Sequence, residues 1–245
     1  MRWREEGIRC TRTERCIDIP GTMVQSFAEF GCHPETMAMG ERRWVGYVAL
    51  GDAVTEGTRV AGEPSWAPRL ATILQGSAQL DGQPFAFRNL AEHGHRMRDV
   101  AEQQVPAALA LRPDLVSIMA GGTELQRSRA DPAQVATRLE SAVAMIRATG
   151  ADVLIANVVD PLFAFSMRPT RNRVAAFNAN VWSIARTHGA YTLDVWNIRE
   201  LQGGPMWSPD RRQLTPAGHR VVANRAAQAL GVPYFDLFPE ASARM

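Results

Sequence analysis

Short apolar runs alternate with longer amphipathic stretches along this chain from residue 44 onward. Buried parallel strands are typically runs of about four to eight apolar residues, whereas helices show apolar positions three or four residues apart. Five runs fit the strand description, at 45–50, 85–89, 115–119, 153–157 and 190–194. The alternation predicts βαβ units, and therefore a three-layer α/β/α sandwich with a five-stranded parallel sheet of the flavodoxin-like kind.

Helical spacing and helix-end signals mark three of the stretches between and after these runs. The first stripe consists of Val135, Leu139, Ala142, Val143 and Ile146, and the second of Val174, Phe177, Val181 and Ile184. The second stripe stops at Gly189, a residue type that commonly ends helices. The last predicted helix begins with Thr215 as N-cap and Pro216 in its first turn, and it ends at Gly231.

These elements predict a domain over residues 44–235. The N-terminal extension, residues 1–43, shows no clear period, and its role stays open. Residues 236–245 form a C-terminal tail. The oligomeric state is not predicted.

Composition excludes several classes of protein. Hydrophobic residues make up 46% and charged residues 21% of the 245 residues, an ordinary globular mixture. The formal net charge of +2 favours neither a nucleic acid nor a membrane surface as partner. All 27 basic residues are arginines, so the chain has no lysine for a Schiff base or for a phosphate-binding P-loop.

Features that the sequence lacks indicate where the protein is located and whether it binds a cofactor. No apolar run approaches the ~20 residues of a membrane helix, and residues 1–6 lack the apolar core of a signal peptide. We therefore expect a soluble, cytoplasmic protein. Cys10, Cys16 and Cys32 could bind zinc together with His33, but their spacing matches no standard ligand pattern, which favours ordinary thiols. No motif indicates a metal, nucleotide or flavin, so no cofactor is expected.

In open parallel sheets, ligands bind at the carboxyl ends of the strands, so we expect the binding site in the loops there. Four of the loops follow predicted strands, at 51–57, 91–94, 120–125 and 157–161, and the fifth, 207–213, precedes the last helix. Three of these loops carry glycines, where backbone can approach a ligand closely.

The motifs in four of these loops resemble, in order, those of the SGNH (GDSL) hydrolases. The first is Gly-Asp-Ala-Val-Thr-Glu-Gly at 51–57, and the second is Asn-Leu-Ala-Glu-His-Gly at 89–94. The third ends in Gly-Gly-Thr-Glu-Leu at 121–125, and the fourth is Asp-Arg-Arg-Gln at 210–213. The resemblance extends from about residue 45 to about residue 230 and implies the SGNH hydrolase fold.

The resemblance also shows departures at the family's catalytic positions. Ala53 stands where the family has its nucleophilic serine, Thr123 where it has the oxyanion-hole asparagine, and Gln213 where it has the catalytic histidine. Gly94 and Asp210 match the family. Because a serine–histidine pair acts as a unit in such hydrolases, we expect ordinary esterase activity to be absent or residual.

The remaining polar residues are candidates for a different chemistry. We predict that Asp210, Glu124, His93 and His95 include the acid–base groups, although Glu124 could instead cap its loop and the histidines could face solvent. Gly94, Thr123 and Gln213 would orient a substrate oxygen. Asp52, Ala53 and Trp207 complete the predicted substrate pocket, with Asp52 expected mainly to hold its turn.

Several other residues have simpler interpretations. His219 is expected to be structural, since it lies on the last helix rather than in the loop. Arg168, Arg171 and Arg173 follow the fourth strand and are expected to be solvated near the rim. The aromatic residues Phe163 and Phe165 belong either to the pocket wall or to the core.

Three hypotheses of different classes follow. The first is an enzyme that uses the acyl pocket for cyclisation, dehydration, elimination or isomerisation of a small acyl-type molecule, a step of the kind found in specialised metabolism. The second is a pseudoenzyme that binds an acyl ligand or a partner protein without turnover. The third is an esterase whose nucleophile has moved, to Thr55 or Ser208 for example.

Overall fold

A computed structural model describes residues 44–57, 63–79 and 82–232 of the chain. The expected extension 1–43, with its three cysteines, and the expected tail 236–245 lie outside the described residues.

A parallel five-stranded sheet forms the middle layer, as predicted. Its strands are β1 (Gly46–Gly51), β2 (Ala86–Asn89), β3 (Leu115–Met119), β4 (Asp152–Ala156) and β5 (Tyr191–Leu193). They lie in the order β2-β1-β3-β4-β5, and all neighbouring strands are parallel. The strand order reverses between β1 and β3, which places a topological switch point at the carboxyl ends of these two strands.

Helices cover both faces of the sheet. In chain order they are α1 (Ala53–Glu56), α2 (Trp66–Gln79), α3 (Met97–Asp99), α4 (Val105–Ala110), α5 (Gly122–Leu125), α6 (Pro132–Arg147), α7 (Arg171–His188) and α8 (Pro216–Ala229). A single π-helical turn, Val100–Gln104, joins α3 to α4. Helices α2 and α8 pack in the core on one face of the sheet, and the segment α3–α4, α6 and α7 pack on the other.

The alternation of side chains along the strands separates these two cores. On β1, Tyr47 and Ala49 face the core of α2 and α8, whereas Val48 and Leu50 face the core of α6 and α7. Both strand faces are buried, which explains why the strands read as continuous apolar runs.

The predicted helical stripes are the buried faces of α6 and α7. All five apolar residues of the first stripe and all four of the second are buried. Helix α7 ends at Gly189, whose φ of 60° is left-handed. The Thr215 side chain accepts a hydrogen bond from the Gly218 amide at the start of α8, as an N-cap does. No helix in the described part of the chain combines the length and apolar character required to span a bilayer.

Candidate active site

A cavity of about 600 Å³ lies at the carboxyl edge of the sheet. Segments that follow β1, β2, β3 and β4 line it, together with the loop before α8. Nine of the residues predicted for the site contribute to its wall: Asp52, Ala53, His93, Gly94, His95, Thr123, Trp207, Asp210 and Gln213. The topology thus brings together residues that are up to 161 positions apart in the chain, from Asp52 to Gln213.

The turn after β1 is held by the buried amide of Gln104 in the π-helical turn. The Gly51 amide donates to Gln104 Oε1 at 2.9 Å, and Gln104 Nε2 donates to the Gly51 carbonyl at 2.9 Å. A Cβ atom on residue 51 would overlap the Met119 carbonyl oxygen, so glycine is required there for steric reasons. Backbone and side chain together fix the position at which the cavity begins.

Asp52 and Ala53 follow directly and start α1. The Asp52 carboxylate accepts a hydrogen bond from the Val54 amide at 3.2 Å and caps the helix. Burial raises the pKa of Asp52 to about 6. Ala53 is half-buried and presents only a methyl group to the cavity. The expected turn-holding role of Asp52 is therefore present, and Asp52 is also one of the residues that line the cavity.

His95 is bound in a single orientation by the same glutamine. Gln104 Nε2 lies 2.9 Å from His95 Nδ1. Because Gln104 Oε1 accepts from the Gly51 amide, its nitrogen is the donor, and Nδ1 of the neutral imidazole must accept. The hydrogen of neutral His95 then lies on Nε2, 3.4 Å from a carboxylate oxygen of Glu92. His93 is exposed and lines the cavity on the same loop.

The loop before α8 supplies a second carboxylate. Asp210 Oδ1 accepts from the Ser208 hydroxyl at 2.6 Å and from the Arg212 amide at 3.1 Å. These bonds, chiefly the one from Ser208, hold the pKa of Asp210 below its usual value. The backbone of Gln213 is bound to Ser208, whereas its side-chain amide has no hydrogen-bond partner within the described residues.

One side of the cavity is apolar. Phe163 and Trp207 stack with ring centroids 4.2 Å apart, and the Trp207 indole nitrogen donates to the Leu201 carbonyl at 2.7 Å. Val159 and Leu214 extend this wall. Phe165, the other aromatic candidate on this loop, is 83% exposed and lies outside the cavity wall.

Glu124 is the predicted site residue that the structure places elsewhere. Its carboxylate accepts from the Met97 amide at 3.2 Å and lies 3.5 Å from the Arg138 guanidinium. The side chain therefore holds the beginning of α3 and does not line the cavity. This geometry favours a capping role for Glu124. The segment that Glu124 caps is the start of α3, and not the loop that follows Glu124.

His219 has the structural position expected of it. It is buried, and Nδ1 accepts from the Trp66 amide at 3.2 Å. Burial, with a smaller contribution from Arg69, lowers the pKa of His219 to about 4. The ring is therefore neutral at physiological pH and joins α8 to α2.

The arginines that reach the cavity are not the ones the sequence singled out. Arg171 binds Asp160 at 2.7 Å, Arg168 lies over the Phe165 ring, and Arg173 donates to the Leu125 carbonyl. None of these three is part of the cavity wall, which instead contains Arg127, Arg211 and Arg212. The signal for two of them was present in the sequence, because Arg211 and Arg212 lie inside the predicted loop 207–213.

Metal binding has no candidate in the described ranges 44–57, 63–79 and 82–232, where no three histidine, cysteine or carboxylate side chains are grouped to hold an ion.

Comparison with known proteins gives one family and a set of similar folds. A profile of the GDSL-like lipase/acylhydrolase family matches residues 49–221. The crystal structure of TesA is 21% identical, with a TM-score of 0.62 over 75% of this chain and 97% of TesA. LAE5, an alpha/beta hydrolase enzyme from the metagenome of Lake Arreo, Spain, is 22% identical, with a TM-score of 0.67 over 81% of this chain and 100% of LAE5.

A further solved structure is a catalytic mutant of Axe2, an acetylxylan esterase from Geobacillus stearothermophilus. It is 18% identical, with a TM-score of 0.65 over 76% of this chain and 94% of Axe2. At these identities the solved structures establish a common fold. The search of curated proteins finds no match.

Proposed function

Because the chain belongs to the GDSL-like lipase/acylhydrolase family, we propose that it uses the acyl-binding cavity of that family for proton transfer instead of ester hydrolysis. The substrate is a small acyl-type molecule, and the reaction is an elimination, a dehydration or an isomerisation. A cytoplasmic location stays a prediction.

The observation that carries this proposal is the pair Ala53 and Gln213 in the wall of one cavity. The resemblance to the family assigns these positions to the nucleophile and the base. Alanine has no atom that could attack a carbonyl, and a glutamine amide cannot take up a proton near neutral pH. Loss of either member of a serine–histidine pair costs roughly a million-fold in turnover.

The spacing of the fourth motif supports the assignment of Gln213. Three Axe2 structures are described as catalytic mutants, of a serine, a histidine and an aspartate, and that aspartate precedes the histidine by three positions. In this chain Asp210 precedes Gln213 by the same three positions. The aspartate has been kept while the residue it would orient has changed.

A relocated nucleophile has little support. Thr55 is fully buried, and its hydroxyl group lies between the Met119 carbonyl and the Trp66 indole nitrogen. The Ser208 hydroxyl donates to Asp210. Neither residue belongs to the cavity wall, so neither hydroxyl is placed to attack a bound ester.

The two carboxyl groups of the cavity differ in the way that acid–base chemistry requires. Asp52, with a pKa of about 6, can take a proton from a carbon next to a carbonyl group and return it. Asp210 keeps its charge to lower pH and would stabilise positive charge nearby. We assign proton transfer to Asp52, a role not predicted from the sequence, and leave Glu124 out of the catalytic set.

Hydrogen-bond donors would hold the substrate oxygen. Gln213, Thr123 and Gly94 all line the cavity, and their side-chain amide, hydroxyl group and backbone amide are the donors we assign to this role. His95 Nδ1 is bound by Gln104 and its Nε2 lies beside Glu92, so we assign His95 a positioning role on this loop. His93 lines the cavity on the same loop, and we assign it to proton exchange with the substrate beside Asp52.

Deuterium exchange tests this assignment while the natural substrate is still unidentified. The probes are 3-hydroxybutyrate, as the carboxylate and as the ethyl ester, and ethyl 3-oxobutyrate, and those that shift protein NMR signals on binding are incubated with the protein in D2O. Enzymic proton abstraction adds deuterium next to the carbonyl group, at a rate we expect to exceed the buffer rate by roughly a hundred-fold or more.

Two variants test whether Asp52 is responsible for the exchange. Asp52→Asn should lower the exchange rate at least about tenfold. Asp131→Asn is the matched control, because Asp131 caps α6 outside the cavity and asparagine caps a helix equally well. Recovery of the bound probes without deuterium would overturn the proposal and favour a protein that binds its ligand without turnover.

A further inference from the structure

Three arginines line the same cavity, Arg127, Arg211 and Arg212. We infer that the ligand carries an anionic group, a carboxylate or a phosphate, which Arg211 binds together with the other two arginines. This inference deepens the proposed function, since the ligand is the substrate of that site. It makes the substrate a charged acyl compound rather than a neutral ester.

The charges of the cavity wall favour a negative ligand. Against the three arginines stand two carboxyl groups, Asp52 and Asp210. The Asp210 carboxylate is bound by the Ser208 hydroxyl and the backbone of Arg212, and it also interacts electrostatically with the Arg212 charge. Arg127 and Arg211 form no ion pair within the described residues, so the wall keeps positive charge that an anion would balance.

Arginines elsewhere at this end of the fold are bound differently. Arg171 forms a forked pair with Asp160, and Arg138 lies beside Glu124. Those side chains are held by carboxylates of the protein itself. Arg211 has no carboxylate within ion-pair distance in the described part of the chain, which leaves its fork of donors for a ligand.

The backbone of Arg211 is conformationally strained. Its φ of 59° lies in the left-handed region, which costs an arginine roughly 1–2 kcal/mol relative to its usual conformations. The guanidinium group packs over Gly204, where a Cβ atom would lie 3.1 Å from one of its nitrogens. Strain of this kind is concentrated at ligand-binding sites, where the surrounding structure maintains it.

The apolar wall lies in the same cavity as these charges. The stacked rings of Phe163 and Trp207 can cover a short hydrocarbon chain. A molecule with a short chain and an anionic end satisfies both parts of the cavity, whereas a neutral ester leaves the guanidinium groups without a partner. The ligand class that fits is a short acyl carboxylate or an acyl phosphate ester.

Binding by calorimetry to the full chain tests this inference with three probes of equal chain length: hexanoate, its neutral analogue hexanamide, and hexyl phosphate. We expect either anion to bind at least about tenfold more tightly than hexanamide, a preference that weakens with added salt. The comparison of hexanoate with hexyl phosphate identifies which anion the arginines prefer.

Arg211→Gly removes the guanidinium group and suits the left-handed backbone, and urea unfolding of the variant checks that its fold is kept. It should abolish the preference for the anion and leave hexanamide binding unchanged. The matched control is Arg112→Gly, since Arg112 is also left-handed, with a φ of 51°, and lies outside the cavity wall. Arg127→Ala should weaken the preference, and Arg129→Ala on the same loop should not.

The inference fails if hexanamide binds as tightly as the anions, or if Arg211→Gly keeps the preference. These outcomes are separate from those of the proposed function, because binding is measured without turnover. An anion preference without deuterium exchange would leave a carboxylate- or phosphate-binding protein. Exchange without the preference would leave a proton-transfer enzyme for neutral substrates.

Discussion

The backbone frame beneath the cavity and the side chains that face the cavity differ in how tightly the fold constrains them. In the frame, Thr55 joins four partners. Its carbonyl accepts from Asn89 and from Ser65, each at 2.9 Å, and its hydroxyl group donates to the Met119 carbonyl and accepts from the Trp66 indole nitrogen. Gly51 is bound on both backbone atoms by Gln104. Replacement of any of these residues would leave buried polar groups without partners.

The side chains at three cavity-facing positions form no such hydrogen bonds within the described residues. Ala53 is half-buried, Thr123 is exposed, and the Gln213 side chain has no protein partner within the described residues. Different side chains at these positions would cost the fold little. Family membership therefore follows from the frame. The chemistry depends on a few side chains that can change without disturbing that frame.

The largest effect is expected from a methyl group added to the frame. Gly51→Ala places a Cβ atom against the Met119 carbonyl and the Thr55 side chain, so the free energy of unfolding should fall by about 4 kcal/mol or more. The control is Gly94→Ala at the cavity, where φ is 87° but nothing lies within 4 Å of the new atom, so the loss should be only about 1–2 kcal/mol. Urea unfolding measures both; equal losses would show that the frame is no more constrained than the cavity.

Loss of the glutamine amide should have the next largest effect. Gln104→Leu keeps the apolar packing but leaves both backbone atoms of Gly51 without their partner, which should cost about 3 kcal/mol. Gln103→Leu changes the exposed neighbour on the same helical turn and should cost less than about 0.5 kcal/mol. Chemical denaturation of the two variants compares them directly. Similar stabilities would mean that Gln104 does not hold the turn.

The pH dependence of stability tests the raised pKa of Asp52. Because the folded protein binds this proton more tightly than the unfolded chain, the contribution of Asp52 to stability should fall as pH rises from about 4 to about 7, by about 2–3 kcal/mol. Asp52→Asn should remove this slope. Asp160→Asn should show the opposite sign at low pH, since its bonds with Arg171 and the Leu162 amide outweigh its burial and lower its pKa. A pH-independent difference between the protein and Asp52→Asn would contradict the assignment.

Glu124→Gln should have the smallest effect. The Met97 amide keeps an acceptor while the interaction with Arg138 weakens, so the stability loss should be about 1 kcal/mol or less. Deuterium exchange on a bound probe should be unchanged, because the side chain lies outside the cavity wall. A tenfold slower exchange with the fold intact would return Glu124 to the catalytic groups.

The sequence predicted the parts of this molecule that depend on local pattern. Each of the five strands lies within one residue of its predicted bounds, because parallel strands buried on both faces need continuous apolar runs. The cap at Thr215 and the end at Gly189 followed from side-chain chemistry within a few residues. The loops that line the cavity followed from the rule that such sheets bind ligands at their carboxyl ends.

What the sequence could not predict depends on contacts between distant segments. Glu124 faces away from the cavity because the Met97 amide, 27 residues earlier, lies within its reach. The tautomer of His95 depends on Gln104, which the π-helical turn brings against Gly51. The left-handed backbone of Arg211 has no signal in the residue type, since arginine disfavours it.

We propose that the hydrolase frame of this protein is intact and that only its reactive side chains differ. Hydrolysis of p-nitrophenyl acetate and butyrate by the protein should not exceed the buffer rate. The variants Ala53→Ser with Gln213→His, and the same pair with Thr123→Asn, should hydrolyse both esters at least about a thousand-fold faster. Hydrolysis by the unaltered protein at the rate of these variants would contradict the account, as would folded variants that gain no activity.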